Sequence, residues 1–273
     1  MSPTDSTADS FEKLKTDRFQ SVTICSENES SQDVTTFASK LSKSIPIWQA
    51  EGKRTIWFHV QRKCSQWLPV LCENEFLFHH VSLDGDVVVM YRWLPQDKPS
   101  AVPPYAHTMV GVGGIVLNAS GELLVVLQKF GTRELLKLPG GYVEPREDLS
   151  DAAIREVEEE TGVKTKFLSC FSFRHTHGAN FGCSDLYFIV HLEPLSNDTN
   201  SDSDEVEDVR WIKIEEFLND PKVHAVNRLF ITTFLQNKEK GISMIKDDGL
   251  HPVNRQPYSF YHITDDSGTS EGT

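Results

Sequence analysis

Three glutamates, Glu156, Glu159 and Glu160, stand at i, i+3 and i+4 in the middle of this chain. That spacing puts them on one face of a helix, where like charges repel and add nothing to stability. The flanking residues nevertheless specify a helix. Leu138-Pro139-Gly140-Gly141 is a breaker cluster that should stop a strand and turn the chain. Asp148 then serves as N-cap, with Asp151 as a capping-box acid, and Gly162 is placed to end the helix. About three turns lie between them. Leu149, Ala153 and Val157 form a second face that can pack inward. The plain alternative for the glutamates is a solvated acidic face. A hard divalent cation would reverse the sign of their interaction: Mg²⁺ takes a few carboxylates, keeps several waters and commonly binds phosphate oxygens too.

The wider spacing favours the cation. Gly141, Glu147, Arg155, Glu156, Val157, Glu159, Glu160, Gly162 and Val163 form one pattern. It runs Gly, five residues, Glu, seven residues, Arg-Glu-aliphatic, one residue, Glu-Glu, one residue, Gly-aliphatic. From average residue usage, a chance match in a chain of this length has a probability of roughly 10⁻⁷. Through this box the chain resembles the Nudix hydrolases. The resemblance implies an α/β class fold, an α/β/α sandwich with a mixed sheet. It implies hydrolysis of a nucleoside diphosphate linked to another moiety, with Mg²⁺ or Mn²⁺ as cofactor. By position it implies Glu156, Glu159 and Glu160 as metal ligands, with the Gly140 carbonyl as a further ligand. Arg155 would orient a box glutamate and Glu147 would anchor the helix. Gly141 and Gly162 would be structural. A general base often comes from outside the box in this family. Glu205 is the candidate here and Glu207 the runner-up, against the alternative of a solvated acidic loop.

At 273 residues the chain is long enough for one or two domains with a buried core. The net charge is −13 and no basic patch stands out, which speaks against nucleic acid as a partner. No apolar run approaches the ~18 residues of a membrane span. Met1–Ser10 has no apolar segment and no Arg or Lys, so neither a secretory signal nor a mitochondrial presequence is expected. Five cysteines without a Cys-x-x-Cys suggest free thiols in a reducing compartment. The expected location is the cytosol, with nuclear entry open.

Along the chain, residues 1–16 are expected as a disordered tail and 17–95 as a small N-terminal α/β domain. A Pro-rich linker covers 96–104, the box domain 105–240 and a C-terminal extension 241–273, disordered at its end. Phe37, Leu41, Ile45 and Trp48 have helical spacing, broken at Pro46. Phe76–His80 and Asp86–Trp93 read as strands joined around Asp84-Gly85. Adjacent residues on a regular strand point to opposite faces, so His79 and His80 are expected as structural residues unable to chelate together. His107–Leu117 reads as a strand with close-approach glycines. From His224 to about Gln236, Val226, Leu229, Phe230, Thr233 and Phe234 mark an apolar helix face.

Substrate choice lies outside the box. The N-terminal unit, Tyr105–Gly114 and Phe173–Phe188 together look like the two-domain Nudix subgroup that includes plant ADP-ribose/NADH pyrophosphatases and the animal type 6 proteins. That likeness implies ADP-ribose or NADH as substrate, cut to AMP and a phosphorylated product, and is compatible with a homodimer. Arg174 and His177 are candidate phosphate or ribose contacts, with strand-end surface residues as the alternative. Lys129 could also reach a phosphate. Two departures stand out. Leu136 replaces a Trp common before the Lys-aliphatic-Pro-Gly-Gly turn, which affects packing. The Ser-Gln-Pro-Trp-Pro-Phe-Pro array of dedicated NADH pyrophosphatases is absent, which ranks ADP-ribose above NADH. Other readings are a different Nudix substrate (coenzyme A, a sugar nucleotide, a dinucleoside polyphosphate or capped RNA), or a low-activity interaction protein on the same scaffold.

Overall fold

A computed structural model describes residues 10–130, 133–200 and 206–265. The chain divides between Ala106 and His107 into two compact units. Neither Glu205 nor most of the expected N-terminal tail and the last eight residues fall within the described part.

The first unit contains β1 (Lys15–Thr16), β2 (Ser21–Cys25), α1 (Val34–Ala50), β3 (Thr55–Gln61), α2 (Leu68–Glu73), β4 (Leu77–Val81) and β5 (Val87–Trp93). Its sheet has the order β1-β2-β3-β5-β4, with β2 and β3 parallel across α1 and the other pairs antiparallel. Asp33 caps α1 by accepting the Thr36 N–H at 2.7 Å. Phe37, Leu41, Ile45 and Trp48 then bury one face of α1 against Val22, Ile24, Ile56 and Phe58.

Three expectations fail here. The helix does not break at Pro46 but continues to Ala50. An interior proline costs about 3 kcal/mol, and Ile45 and Trp48, both buried beside it, offset that by ~1.5–3 kcal/mol each. Nor are residues 10–16 all tail: Phe11 is buried and stacks on Trp48 at 5.8 Å. The strand argument for the two histidines also fails. A bulge in β4 between Phe78 and His80 breaks the alternation. It brings the two Nδ1 atoms to 2.7 Å, and His80 stacks on Tyr105 at 4.6 Å.

The second unit contains β6 (Thr108–Val116), β7 (Glu122–Phe130), β8 (Arg133–Lys137), α3 (Leu149–Thr161), β9 (Thr165–Thr176) and β10 (Ser184–Pro194). It continues with β11 (Val206–Lys213), α4 (Ile214–Asn219), α5 (Ala225–Glu239), β12 (Ile242–Leu250) and β13 (Pro257–Asp265). One sheet runs β13-β12-β9-β10-β6 and is mixed, since β6 and β10 are parallel and its other pairs antiparallel. A second, antiparallel sheet runs β11-β7-β8.

The two-residue period of β6 and β10 assigns the layers. Val112, Val116, Val190 and Leu192 pack with Val157 of α3. Ile115 and Ile189 pack with Phe230, Ile231 and Phe234 of α5. The expected α/β/α sandwich with a mixed sheet is therefore present. Within α5, Leu229 is 62% exposed instead of inward, and Ile231 takes a core position. The segment set apart as a C-terminal extension belongs to this unit: β12 and β13 form a hairpin that pairs to β9 through Met244 and Cys170.

Candidate active site

The expected turn and helix form as the breakers and caps require. Pro139 to Val143 runs alongside β6: the Gly114, Val112 and Val143 N–H groups donate to the carbonyls of Pro139, Gly141 and Val110, each at 2.9 Å. Gly140 has φ +148°, and a Cβ there would collide with the Val112 carbonyl, so only glycine fits. Asp148 caps α3 by accepting the Ser150 N–H at 3.1 Å. Gly162 ends the helix with φ +73° and donates its N–H to the Glu158 carbonyl. The helix lies flush on the sheet because β6 presents Gly114, where a Cβ would come within 2.7 Å of a Val157 methyl.

This seating aims the glutamates at one open cleft of about 480 Å³ lined by Gly141, Tyr142, Glu144, Arg155, Glu156, Glu159 and Glu160. Arg155 organises it. Its Nε and Nη2 donate to the two Glu147 oxygens at 2.7 and 2.9 Å, a forked pair that fixes the guanidinium plane. Nη1 reaches Glu156 at 2.9 Å and Glu159 at 3.3 Å, and Nη2 also donates to the Tyr142 carbonyl at 3.1 Å. Hydrogen bonding to Arg155 holds the Glu147 carboxyl below its usual range. Glu156 goes the other way: burial raises it, and the charges of Glu160 and Glu159 add to the rise while Arg155 opposes it.

Glu160 is buried. It accepts the Gly140 N–H at 2.7 Å and the Lys137 ammonium at 3.1 Å. The Gly140 carbonyl, expected as a metal ligand, accepts from the same ammonium at 3.3 Å. Lys137 escaped the sequence reading. Its signal was a lysine immediately before the Leu-Pro-Gly-Gly turn, at the end of a β8 strand that was not anticipated.

The donor set is carboxylates and one carbonyl, hard oxygen ligands that suit Mg²⁺ or Mn²⁺. Gly141 supports the fit, since a Cβ there would occupy the space taken by the Glu156 carboxylate. Among the described residues no three acidic, histidine or cysteine side chains stand together closely enough to hold a metal ion by themselves.

The residues outside the box are placed unevenly. Arg174 on β9 bonds Asp185 at 2.5 Å and lies over the Tyr187 ring at 5.4 Å. Tyr187 packs under Gly111 and Gly113. Burial, with the Glu160 charge adding to it, pushes its phenol well up. His177 bonds Ser184 at 3.1 Å and sits 4.3 Å from the His175 ring. Lys129 is described by its backbone alone, opposite Glu134 in the β7–β8 pair. Glu207 falls in a bulge of β11.

A carboxylate-bearing helix seated on the mixed sheet of an α/β sandwich faces an open cleft and presents hard oxygen donors of a kind that suits a divalent cation. The comparisons with known proteins identify the family. Residues 107–234 match the NUDIX domain and residues 13–94 the Nudix hydrolase domain described for this family. Nudix hydrolase 2 of Arabidopsis thaliana is 33% identical over 222 residues, 80% of this chain and 79% of that protein. Nucleoside diphosphate-linked moiety X motif 6 of Homo sapiens is 33% identical, over 76% of this chain and 67% of that protein. Nudix hydrolase 8 of Arabidopsis thaliana is 38% identical over 69% of this chain, which spans 52% of that protein. The chain belongs to the Nudix hydrolase family.

Proposed function

We propose that this chain hydrolyses the diphosphate of a nucleoside diphosphate derivative in a metal-dependent reaction, with ADP-ribose first and NADH second as substrate. The observation that carries the reading is the row of Glu156, Glu159 and Glu160 on one helix face of an open cleft. Their mutual repulsion costs stability and is reversed by a divalent cation. Glu156, Glu159 and Glu160, with the Gly140 carbonyl, would hold Mg²⁺ or Mn²⁺. Such an ion neutralises the diphosphate and lowers the pKa of a bound water towards neutrality.

The chain's own residues do the positioning. Glu147 fixes Arg155, which orients Glu156 and Glu159. Lys137 holds Glu160 and is close enough to the cleft to meet phosphate charge. Arg174, seated on Tyr187, is the candidate substrate-side cation. His177 and Lys129 remain candidate substrate contacts and Glu205 the candidate base. A homodimer and a cytosolic setting belong to the same reading. Among the described residues no helix is long and apolar enough to cross a membrane.

The test is a panel of ADP-ribose, NADH, NAD, coenzyme A, a sugar nucleotide and a diadenosine polyphosphate with purified protein and Mg²⁺ or Mn²⁺. AMP release from ADP-ribose or NADH that collapses in Glu159→Gln is the expected result. Turnover confined to another member reassigns the substrate. No turnover by a folded, metal-binding protein overturns the reading in favour of an interaction role.

A further inference from the structure

Beyond the box, the hairpin of β12 and β13 converges on one residue. The Tyr261 hydroxyl donates to Asp148 at 2.8 Å, and the Lys246 ammonium lies 3.2 Å from the same carboxylate. The Ser259 hydroxyl donates to its other oxygen. Lys246 also bonds the Ser150 hydroxyl at 2.9 Å. Asp148 is the N-cap of α3. An N-cap needs only one side-chain oxygen facing the first helical turn, so these three donors exceed what capping requires. The hairpin itself is held by the core, where Met244 and Tyr261 pack among the residues beneath α3. The match to the NUDIX domain ends at residue 234, before the hairpin begins.

Asp148 follows directly on Glu147, whose carboxylate takes both arms of the Arg155 fork. Arg155 in turn sets Glu156 and Glu159. A shift of the Asp148 end of the helix therefore moves the fork and, with it, two of the three proposed metal-binding glutamates. Burial works to raise the Asp148 carboxyl. The hydrogen bonds from Ser259, Ser150 and Tyr261 outweigh that and hold it well below the usual range, so it presents a full charge to Lys246.

We infer that the β12–β13 hairpin is a positioning clamp for the catalytic helix, with Tyr261, Ser259 and Lys246 gripping Asp148 to set the geometry of the metal-binding glutamates. The inference rests on the metal-dependent reading above. Its logic is that of outer partners that orient metal ligands and whose loss typically costs 10–100-fold in metal affinity or activity.

The test uses full-length protein. Tyr261→Phe combined with Ser259→Ala removes two oxygens and leaves the hairpin core intact. Asp148→Asn caps a helix as well as Asp does but gives up the charge facing Lys246, and it carries the test should the double variant fail to fold. His262→Gln, which loses the bond to Asp247 at 2.7 Å and the stacking on Phe260 but touches none of the Asp148 contacts, is the control on the same hairpin. Mn²⁺ affinity by electron paramagnetic resonance, amide exchange in α3, melting temperature, kcat and KM are measured for each.

The expected result is roughly tenfold weaker Mn²⁺ binding, faster exchange in the first turn of α3, and a lower kcat at nearly constant KM. Both test variants should show it and the control should not. Unchanged Mn²⁺ affinity and kcat, with or without a lower melting temperature, would overturn the clamp and leave the hairpin as packing. If the unmodified protein turns over nothing yet the variants bind Mn²⁺ more weakly, the reaction assignment fails and the clamp stands. If turnover is normal and indifferent to the variants, the reverse holds.

Discussion

Each unit contains a carboxylate paired with a lysine and largely removed from water. In the first, Glu29 meets Lys40 at 2.8 Å, with 1% and 7% of the side chains exposed. Its second oxygen accepts the Glu12 N–H at 2.8 Å. In the other unit, Glu160 meets Lys137 at 3.1 Å, with 8% and 21% exposed. The chemistry is the same and the setting is opposite. Glu29 lies beside the aromatic core, with Lys40 6.0 Å from the Phe11 ring centroid. Glu160 lies on a helix face with two further glutamates and opens on a cleft. A buried ion pair is poor evidence of purpose by itself. Company differs: both oxygens of Glu29 and both of Glu160 are answered within the fold, but Glu160 shares its helix face with two further carboxylates, whose repulsion a bound cation would relieve.

The comparison can be broken by exchanging the effects. Glu160→Gln should reduce turnover by roughly 10³-fold while the melting temperature holds or rises, because a repelling charge has gone. A steady-state assay beside a thermal melt checks this, and a large loss of stability would make the two pairs alike after all. Lys40→Met leaves Glu29 buried without its cation and should cost ~3 kcal/mol of stability. Urea titration reads it, and activity per folded molecule should not change. Arg155→Lys keeps the charge and loses the fork on Glu147. It should lower turnover by about 10–100-fold with a small change in stability, visible as a kcat loss in a protein that melts almost normally.

The smallest effect concerns pH. Burial pushes His191 down to about 4, beside Phe171 and Phe234. The unfolded chain, with a His pKa of about 6.5, then binds more protons between these values. Stability is therefore complete above about pH 6.5 and falls as pH drops towards 4, by ~1 kcal/mol at pH 5.5. His191→Phe should flatten that slope in melts at pH 7.5 and 5.5. A slope unchanged in the variant would assign the acid sensitivity to other groups.

Much of the box was legible because its determinants are local. Breakers, caps and the i, i+3, i+4 spacing act over a few residues, so Asp148, Gly162 and the glutamate face followed from the chain alone. The glycines of β6 were legible as close approaches, although which neighbours approach them was not. In α5 the helical period was plain, but Leu229 faces outward and Ile231 inward. A period does not set the phase, which depends on the sheet the helix meets. Pro46 and the histidine pair failed for a related reason. Local rules for prolines and strands were overruled by burial of Ile45 and Trp48 and by a bulge whose register is set by β5.

The sequence by itself therefore determined the helix, its caps, the acidic face and, through the box spacing, the family. Only the tertiary structure decided that Lys137 neutralises Glu160, that Arg174 lies over Tyr187, and that a hairpin about a hundred residues downstream grips Asp148. Those contacts join residues far apart in the chain. Their partners are chosen by how sheets and helices pack, and no short-range pattern encodes that choice.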